Sequence, residues 1–240
     1  MANPPAPRSL ANAHPTPRTL AMHTYLLRFS RLLPAALVLA VLFVAGAQAQ
    51  QPLQAGREYN RVASPQPVTT GDRIELIEFF YYGCPVCYET QPHLSRWLVV
   101  APDYVAIRRV PAVFNESSEN FAKLFYTLEA IGELQRLHWP VYDNFHFDGV
   151  KLNDEKVMLD WVARNRIDRD KFAEIYKSDE VKARVEGARA LNKSYDVRGV
   201  PTFIIDGKYV TSARLTGGTR QMMQAVDQLV KQARVERPAR

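Results

Sequence analysis

Cys84 and Cys87 are the only cysteines in this 240-residue chain, and they stand three residues apart in FFYYGCPVCYETQPHL, positions 79 to 94. A thiol pair at this spacing is a poor structural staple, because so short a ring gains only about 2 kcal/mol of chain entropy, against about 5 for a loop of 100 residues. It also makes only half of a zinc site. Four Cys or His ligands are wanted, and the chain beyond residue 49 adds only His93, His138 and His146, with no second CxxC. Copper would need a third soft or imidazole ligand beside the pair, and the sequence places none there. Reactivity fits the surroundings better. With Cys84 at the first turn of a helix, its sulfur faces unpaired backbone N–H groups and the positive end of the dipole, which favours thiolate. Pro85 suits the first helical position, where a proline forfeits no hydrogen bond. Cys87, one turn on, shares that face and can attack the Cys84 sulfur. Cys84 is then the exposed nucleophile and Cys87 the resolving thiol, with exchange running through a mixed disulfide.

The elements that must hold this pair are legible on either side of it. IELIEFFYY (74–82) is an apolar, β-branched and aromatic run suited to a strand covered on both faces. CYETQPHLSRWLVV follows as a helix, so the order is strand, two-residue turn, helix. Pro92 falls inside that helix and is expected to kink it. VAIRRVPA (105–112) is a second strand, with Arg108 and Arg109 as its solvated end. Positions 115 to 194 carry only helical signals. Phe121, Leu124, Phe125, Leu128 and Ile131 recur at helical spacing after the cap-like Ser117 and Ser118. Asn153 and Asp168 are cap candidates for helices near 157–162 and 172–176, and Val181, Val185 and Ala188 outline another. Two β runs in PTFIIDGKYV (201–210) flank Asp206-Gly207, a hairpin signal. A last amphipathic helix has Thr219 as its cap and Met222, Met223, Val226, Leu229 and Val230 on its core face. Residues 50–72 read as a lead-in with one short strand near 58–62. Strands bracket an all-helical block, which therefore looks inserted into an α/β domain.

Charge and the N-terminus bound the setting. The net charge of +6 comes largely from Arg8, Arg18, Arg28 and Arg31 in the acid-free first 49 residues; of 31 bases, 27 remain against 25 acids. That balance does not argue for nucleic acid. LLPAALVLAVLFVA (32–45) is an apolar run of signal-peptide length, too short for the roughly 20 residues of a membrane span, and AGAQAQ offers cleavage after Ala47 or Ala49. The Pro-rich stretch ahead of Met22 exceeds what a signal needs, so Met22 competes with Met1 as the start. The exported chain then works where disulfides persist.

EFFYYGCPVCYETQPHL after a buried strand, a helical insertion, and GVPTF before a DG hairpin together resemble the DsbA family of exported thiol:disulfide oxidoreductases. The resemblance covers roughly residues 55 to 235. It implies a thioredoxin-like fold, a central mixed sheet flanked by helices, with residues 50–114 and 195–240 forming that domain and 115–194 an inserted all-helical domain. It implies a cis peptide at Val200-Pro201, facing the CxxC, where the Val200 backbone would pair with an extended substrate by strand addition. On the residues alone Glu78 fits a solvent-facing strand position equally well, but the family places an acid here beneath the active-site helix, to relay a proton for the buried cysteine. Burial would raise its pKa. The implied cofactor is the redox-active Cys84–Cys87 disulfide itself, with no metal, flavin or nucleotide. The implied partners are reduced or unfolded exported proteins and a DsbB-like, quinone-linked membrane oxidase, the implied location is the periplasm, and a monomer is favoured. A reductase or isomerase with the same site, a glutathione-dependent isomerase that dispenses with Cys87, and a non-catalytic metal- or peptide-binding module remain as alternatives.

Other residues near the motif have plainer readings. Between the cysteines, Pro85 and Val86 form the tuning dipeptide, and Val86 stands where DsbA carries histidine. It offers no charge or hydrogen bond, so a less oxidising enzyme than the CPHC type is expected. His93 lies about 180° round the helix from Cys84 and should point away from the sulfurs. Tyr81 and Tyr82 should pack near the site.

Overall fold

The computed structural model describes residues 52–237, so the export signal, both cleavage positions and the Met1 or Met22 start lie outside the described residues. Five strands, β1 (Asn60–Arg61), β2 (Ile74–Phe80), β3 (Val105–Pro111), β4 (Thr202–Ile205) and β5 (Tyr209–Ser212), form one sheet in the order β1-β5-β4-β2-β3. Only β2 and β3 run parallel; the other pairs are antiparallel. This is the mixed sheet of a thioredoxin-like fold. All seven residues of β2 are buried. Ile77 and Phe79 belong to one hydrophobic cluster, shared with the long helical block, and Ile74 and Leu76 to another, shared with the C-terminal helix. Cover on both faces explains why the run carries no polar alternation.

The strand stops at Phe80, earlier than the sequence suggests, so the link to the next helix is four residues, Tyr81–Cys84, not two. Pro111 lies opposite Phe80 and has no N–H to extend the ladder; Ala112 N–H instead closes on the Phe80 carbonyl at 2.7 Å. Tyr82 is thereby freed to turn its ring into the core, 5.1 Å from that of Phe80. A Cβ at Gly83 would overlap the Tyr81 ring, so any larger residue in this link would push that ring from its place beside Ser117.

Helix α1 (Pro85–Val100) leads directly from the cysteine turn and contains Pro92. Between β3 and β4 come α2 (Glu116–Ala130), α3 (Leu134–His146), α4 (Glu155–Arg164), α5 (Arg169–Tyr176) and α6 (Asp179–Ser194). Two caps of this block differ from the sequence reading. Asn115, not Ser117 or Ser118, caps α2: its side chain accepts from Ser118 N–H at 3.0 Å while Ser118 Oγ accepts from Asn115 N–H at 2.9 Å, a reciprocal box that outcompetes a lone serine. Asp154, not Asn153, caps α4, accepting from Val157 N–H at 3.0 Å. Asp168 caps α5 as its position suggests. After β5 come the short α7 (Ala213–Thr216) and α8 (Thr219–Glu236). Thr219 is the first residue of α8 and not its cap, because the helical ladder starts at the Gly218 carbonyl, which accepts from Met222 N–H at 3.0 Å. Met222, Met223, Val226, Leu229 and Val230 are all buried against the sheet side of α8, each worth about 1.5–3 kcal/mol. The β4–β5 hairpin turns at Asp206 and Gly207, both with positive φ.

Candidate active site

Cys84 is the N-cap residue of α1, with Pro85 at the first helical position. Its Sγ accepts from Cys87 N–H at 3.4 Å, so an orphan donor of the helix start is spent on the sulfur. The Cys84 pKa is lowered to about 6. The hydrogen bond from the Cys87 thiol is the largest cause; partial burial opposes it, and the Cys87 and Val86 N–H groups assist. Cys87 is fully buried, and desolvation pushes its thiol well up, with the neighbouring Cys84 sulfur adding to the rise. One turn of helix thus separates an acidic thiol from a reluctant one. Both cysteines are unbonded, the reduced form.

The Val200–Pro201 bond is cis, and the Val200 carbonyl lies 3.5 Å from Cys84 Sγ. An open cleft of about 1470 Å³ runs beside this contact, lined by Val86, Glu89 and His93 of α1 and by the Val200–Pro201 segment. His93 lies on the Val86 side of α1, away from buried Cys87, and bonds Arg96 at 3.1 Å.

Glu78 is completely buried on the β2 face under α1, where it accepts from Gln91 Nε2 at 2.7 Å and from Arg109 Nε at 3.1 Å. The solvent-facing alternative for Glu78 is excluded. Burial raises its pKa, while Arg109 and Gln91 pull the other way. Arg109 is correspondingly no solvated strand end: parallel register sets it opposite Glu78, with its side chain 25% exposed, and Arg108 alone keeps the exposed role. A carboxylate at the centre of a sheet is tolerable only with such a partner.

Sequence reasoning missed the wall contributed by α3. The Tyr82 hydroxyl meets His138 Nδ1 at 2.7 Å, His146 Nε2 donates to the Tyr82 carbonyl at 2.7 Å, and the Tyr88 hydroxyl donates to Asp143 at 2.8 Å. His146 also stacks on Tyr88, as does the exposed Trp139. Tyr81 instead bonds Ser117 Oγ at 2.9 Å. Burial lowers the His138 pKa to about 3, so this imidazole is neutral. Among the described residues no cluster of three or more His, Cys, Asp or Glu side chains could hold a metal ion.

Comparison with known proteins agrees with this geometry. The family model for the DSBA-like thioredoxin domain matches residues 75–229. The chain is 36% identical over 203 residues to the thiol:disulfide interchange protein DsbA of Pseudomonas syringae pv. tomato, covering 85% of this chain and 95% of that one. It is also 36% identical to the DsbA of Bordetella parapertussis, covering 86% and 97%. The crystal structure of Pseudomonas aeruginosa DsbA superposes with a TM-score of 0.72 at 34% identity, over 76% of this chain and 95% of that one. The Neisseria meningitidis oxidoreductase NmDsbA1 superposes with a TM-score of 0.68 at 25% identity, over 79% and 98%. The chain belongs to the DsbA-like family of thioredoxin-fold proteins.

Proposed function

We propose that this protein oxidises pairs of thiols in newly exported polypeptides, passing them the Cys84–Cys87 disulfide. Family membership makes it a protein disulfide oxidoreductase; the direction, the location and the residue roles are our reading. The observation that carries the direction is the acidity gap between Cys84 and Cys87. A thiolate favoured at Cys84 stabilises the reduced form, and whatever stabilises the reduced form makes the disulfide a stronger oxidant.

In this reading a substrate thiolate attacks Cys84 Sγ. The Cys84–Cys87 bond breaks, Cys87 leaves with the electron pair, and a substrate–Cys84 mixed disulfide forms. A second substrate thiolate attacks the substrate sulfur and expels Cys84 as a thiolate, a good leaving group because of its low pKa. Glu78 takes up or returns the Cys87 proton, a role that its raised pKa and its place under α1 support. The Val200 backbone beside the cis Pro201 offers an edge for an extended substrate segment, and exposed Val86 with Trp139 gives apolar footing for unfolded chain. Reoxidation falls to a DsbB-like quinone-linked membrane partner, and the protein resides in the periplasm after loss of residues 1–49. Residues 50–114 and 195–240 form the redox domain and 115–194 the helical insertion. Pro85 and Val86 set the potential.

The test is oxidation of a reduced two-cysteine polypeptide by the purified protein lacking residues 1–49, with Cys84→Ala and Glu78→Gln alongside. Wild type should transfer its disulfide, Cys84→Ala should not, and Glu78→Gln should alter the pH dependence. Failure of the wild type to oxidise the polypeptide defeats the reading.

A further inference from the structure

His138, Tyr142 and His146 stand four residues apart on α3 and so form a single stripe along it. The stripe faces the active-site turn, for His138 meets the Tyr82 hydroxyl and His146 the Tyr82 carbonyl, each at 2.7 Å. Its two ends are therefore tied to the segment that carries the cysteines. The middle residue has no such tie, and His138 Nε2, on the far edge of its ring, is likewise left without a partner among the described residues. Tyr142 is fully buried, its ring 4.7 Å from that of Tyr82 and 6.3 Å from that of Tyr88, yet its hydroxyl has no hydrogen-bond partner among the described residues. An unsatisfied buried hydroxyl is costly, and phenylalanine would fill the same space without one. Tyr142 and Cys87 lie in the same packed cluster, in which Cys87 is the buried group whose charge changes during thiol exchange.

We infer that the Tyr142 hydroxyl is held in reserve for Cys87, donating a hydrogen bond to that sulfur whenever it is a thiolate. The inference rests on the exchange chemistry proposed above. When the protein's own disulfide is re-formed, Cys87 first gives its proton to the Glu78 carboxylate. Its sulfur then attacks Cys84, the Cys84–Cys87 bond forms, the bond from Cys84 to the partner's sulfur breaks, and the partner departs as a thiolate with the bonding pair. In the opposite step Cys87 is the leaving thiolate. Both pass through a negative sulfur in an apolar interior, where a preorganised donor acts most strongly. Tyr142 suits donation alone. Burial holds its ionisation well above the ordinary phenol range, and the charges at Cys87, Glu78, Tyr82 and Cys84 push the same way, so the proton stays on oxygen. The titratable groups packed against its ring are Tyr82, Tyr88 from α1, and His138 and His146 from its own helix, and the charges that act on it are those of Cys87, Glu78, Tyr82 and Cys84. Of these, Glu78 already has two donors, and His138, with its pKa lowered to about 3, brings no positive charge.

Tyr142→Phe removes the hydroxyl and leaves the ring. A glutathione mixed disulfide is placed on Cys84, and glutathione release, which reports Cys87 attack, is followed against pH. Release should slow about tenfold and its midpoint should rise by about one unit, the equivalent change in thiolate population. The Cys84 alkylation midpoint should stay near 6, and the reduced variant should unfold at no lower temperature, since the hydroxyl has no partner at rest. A purely structural tyrosine would leave the release profile unmoved, and that result overturns the inference. A second measurement needs no substitution at position 142: in Cys84→Ala protein the Tyr142 hydroxyl proton resonance should move downfield as Cys87 ionises, and a fixed resonance also overturns it. Wild-type oxidation of a reduced polypeptide is run in parallel. Loss there defeats the oxidoreductase reading as well, whereas active wild type with an unchanged variant defeats this inference alone.

Discussion

Replacing Cys87 with alanine tests which group makes Cys84 acidic. The Cys87 thiol is the largest contributor to the lowered pKa of Cys84, ahead of the backbone N–H groups. The substitution deletes that donor but leaves the residue-87 N–H, which lies 3.4 Å from Sγ, in place. A hydrogen bond to a charged acceptor is worth about 1.5–3 kcal/mol, and a thiol is a weak donor, so the lower end applies. At about 1.4 kcal/mol per unit, the Cys84 midpoint should rise by about one pKa unit. At a pH of about 6, half of Cys84 is thiolate in the wild type, and only about one-tenth would be in the variant. The alkylation rate of Cys84 followed against pH reads this directly, and in the same variant a substrate captured by Cys84 should persist as a mixed disulfide. Because Cys87 is fully buried, its truncation leaves a small void costing about 1 kcal/mol, which unfolding in urea will register separately. A midpoint that stays at its wild-type value refutes the reasoning, and would assign the acidity to the helix start alone.

The remaining expectations follow from the same geometry. A thiol whose folded pKa is depressed stabilises the fold fully above its unfolded value and loses that contribution as pH falls through the folded value, so reduced protein should lose ~2 kcal/mol between about pH 8.5 and pH 6, after discounting for partial exposure. Urea unfolding of reduced wild type against Cys84→Ala checks it, and a parallel pH dependence in both would contradict it. Arg109→Met strands the Glu78 carboxylate in the sheet and should destabilise by about 3 kcal/mol near neutral pH. Because burial already raises the Glu78 pKa, that loss should shrink in acid, where the carboxyl is protonated in both states; equal losses at either pH would contradict the pairing. Val86→His should lower the Cys84 midpoint by about one unit and make the protein more oxidising by ~30 mV, measured by equilibration with glutathione; an unchanged potential would remove this dipeptide from the account.

The place of Cys84 at a helix start and the facing Val200–Pro201 segment were legible because each is a local pattern: CPVC after an apolar run, and VPTF before a DG turn. The helical block was legible in kind but not in its edges, since the Asn115–Ser118 and Asp154 caps are decided by which side chain reaches an N–H. Arg109 was misread for a different reason. Its partner is 31 residues away, and only the parallel register starting at Ile74 and Val105 puts the fifth residue of each strand side by side. Aligning IELIE with VAIRR from their first apolar residues would have matched Glu78 with Arg109. Helix α3 gave no comparable signal. It has no side-chain cap, carries Pro140 inside it, and buries only Leu137, Val141 and Tyr142, so its apolar stripe is too thin to stand out.

That division between legible and hidden parts follows the division of labour between the two thiols. The field of a helix start acts within its first turn. At that start the Cys84 sulfur takes the place of a capping oxygen, whereas Cys87, though in the same turn, is fully buried and desolvation dominates its sulfur. Everything needed for the first thiol is encoded within a few residues of it. The second thiol depends on what is built over it, Glu78 with Arg109 on one side and the α3 wall on the other, and those come from segments that meet only in the folded chain. In the proposed exchange, opening and re-forming the Cys84–Cys87 bond both require Cys87 to carry negative charge briefly, so this distant shell is expected to govern those two steps, while the motif governs the acidity of Cys84. Changes in the helical block that leave the CPVC turn untouched should therefore alter rates at Cys87 without moving the titration of Cys84.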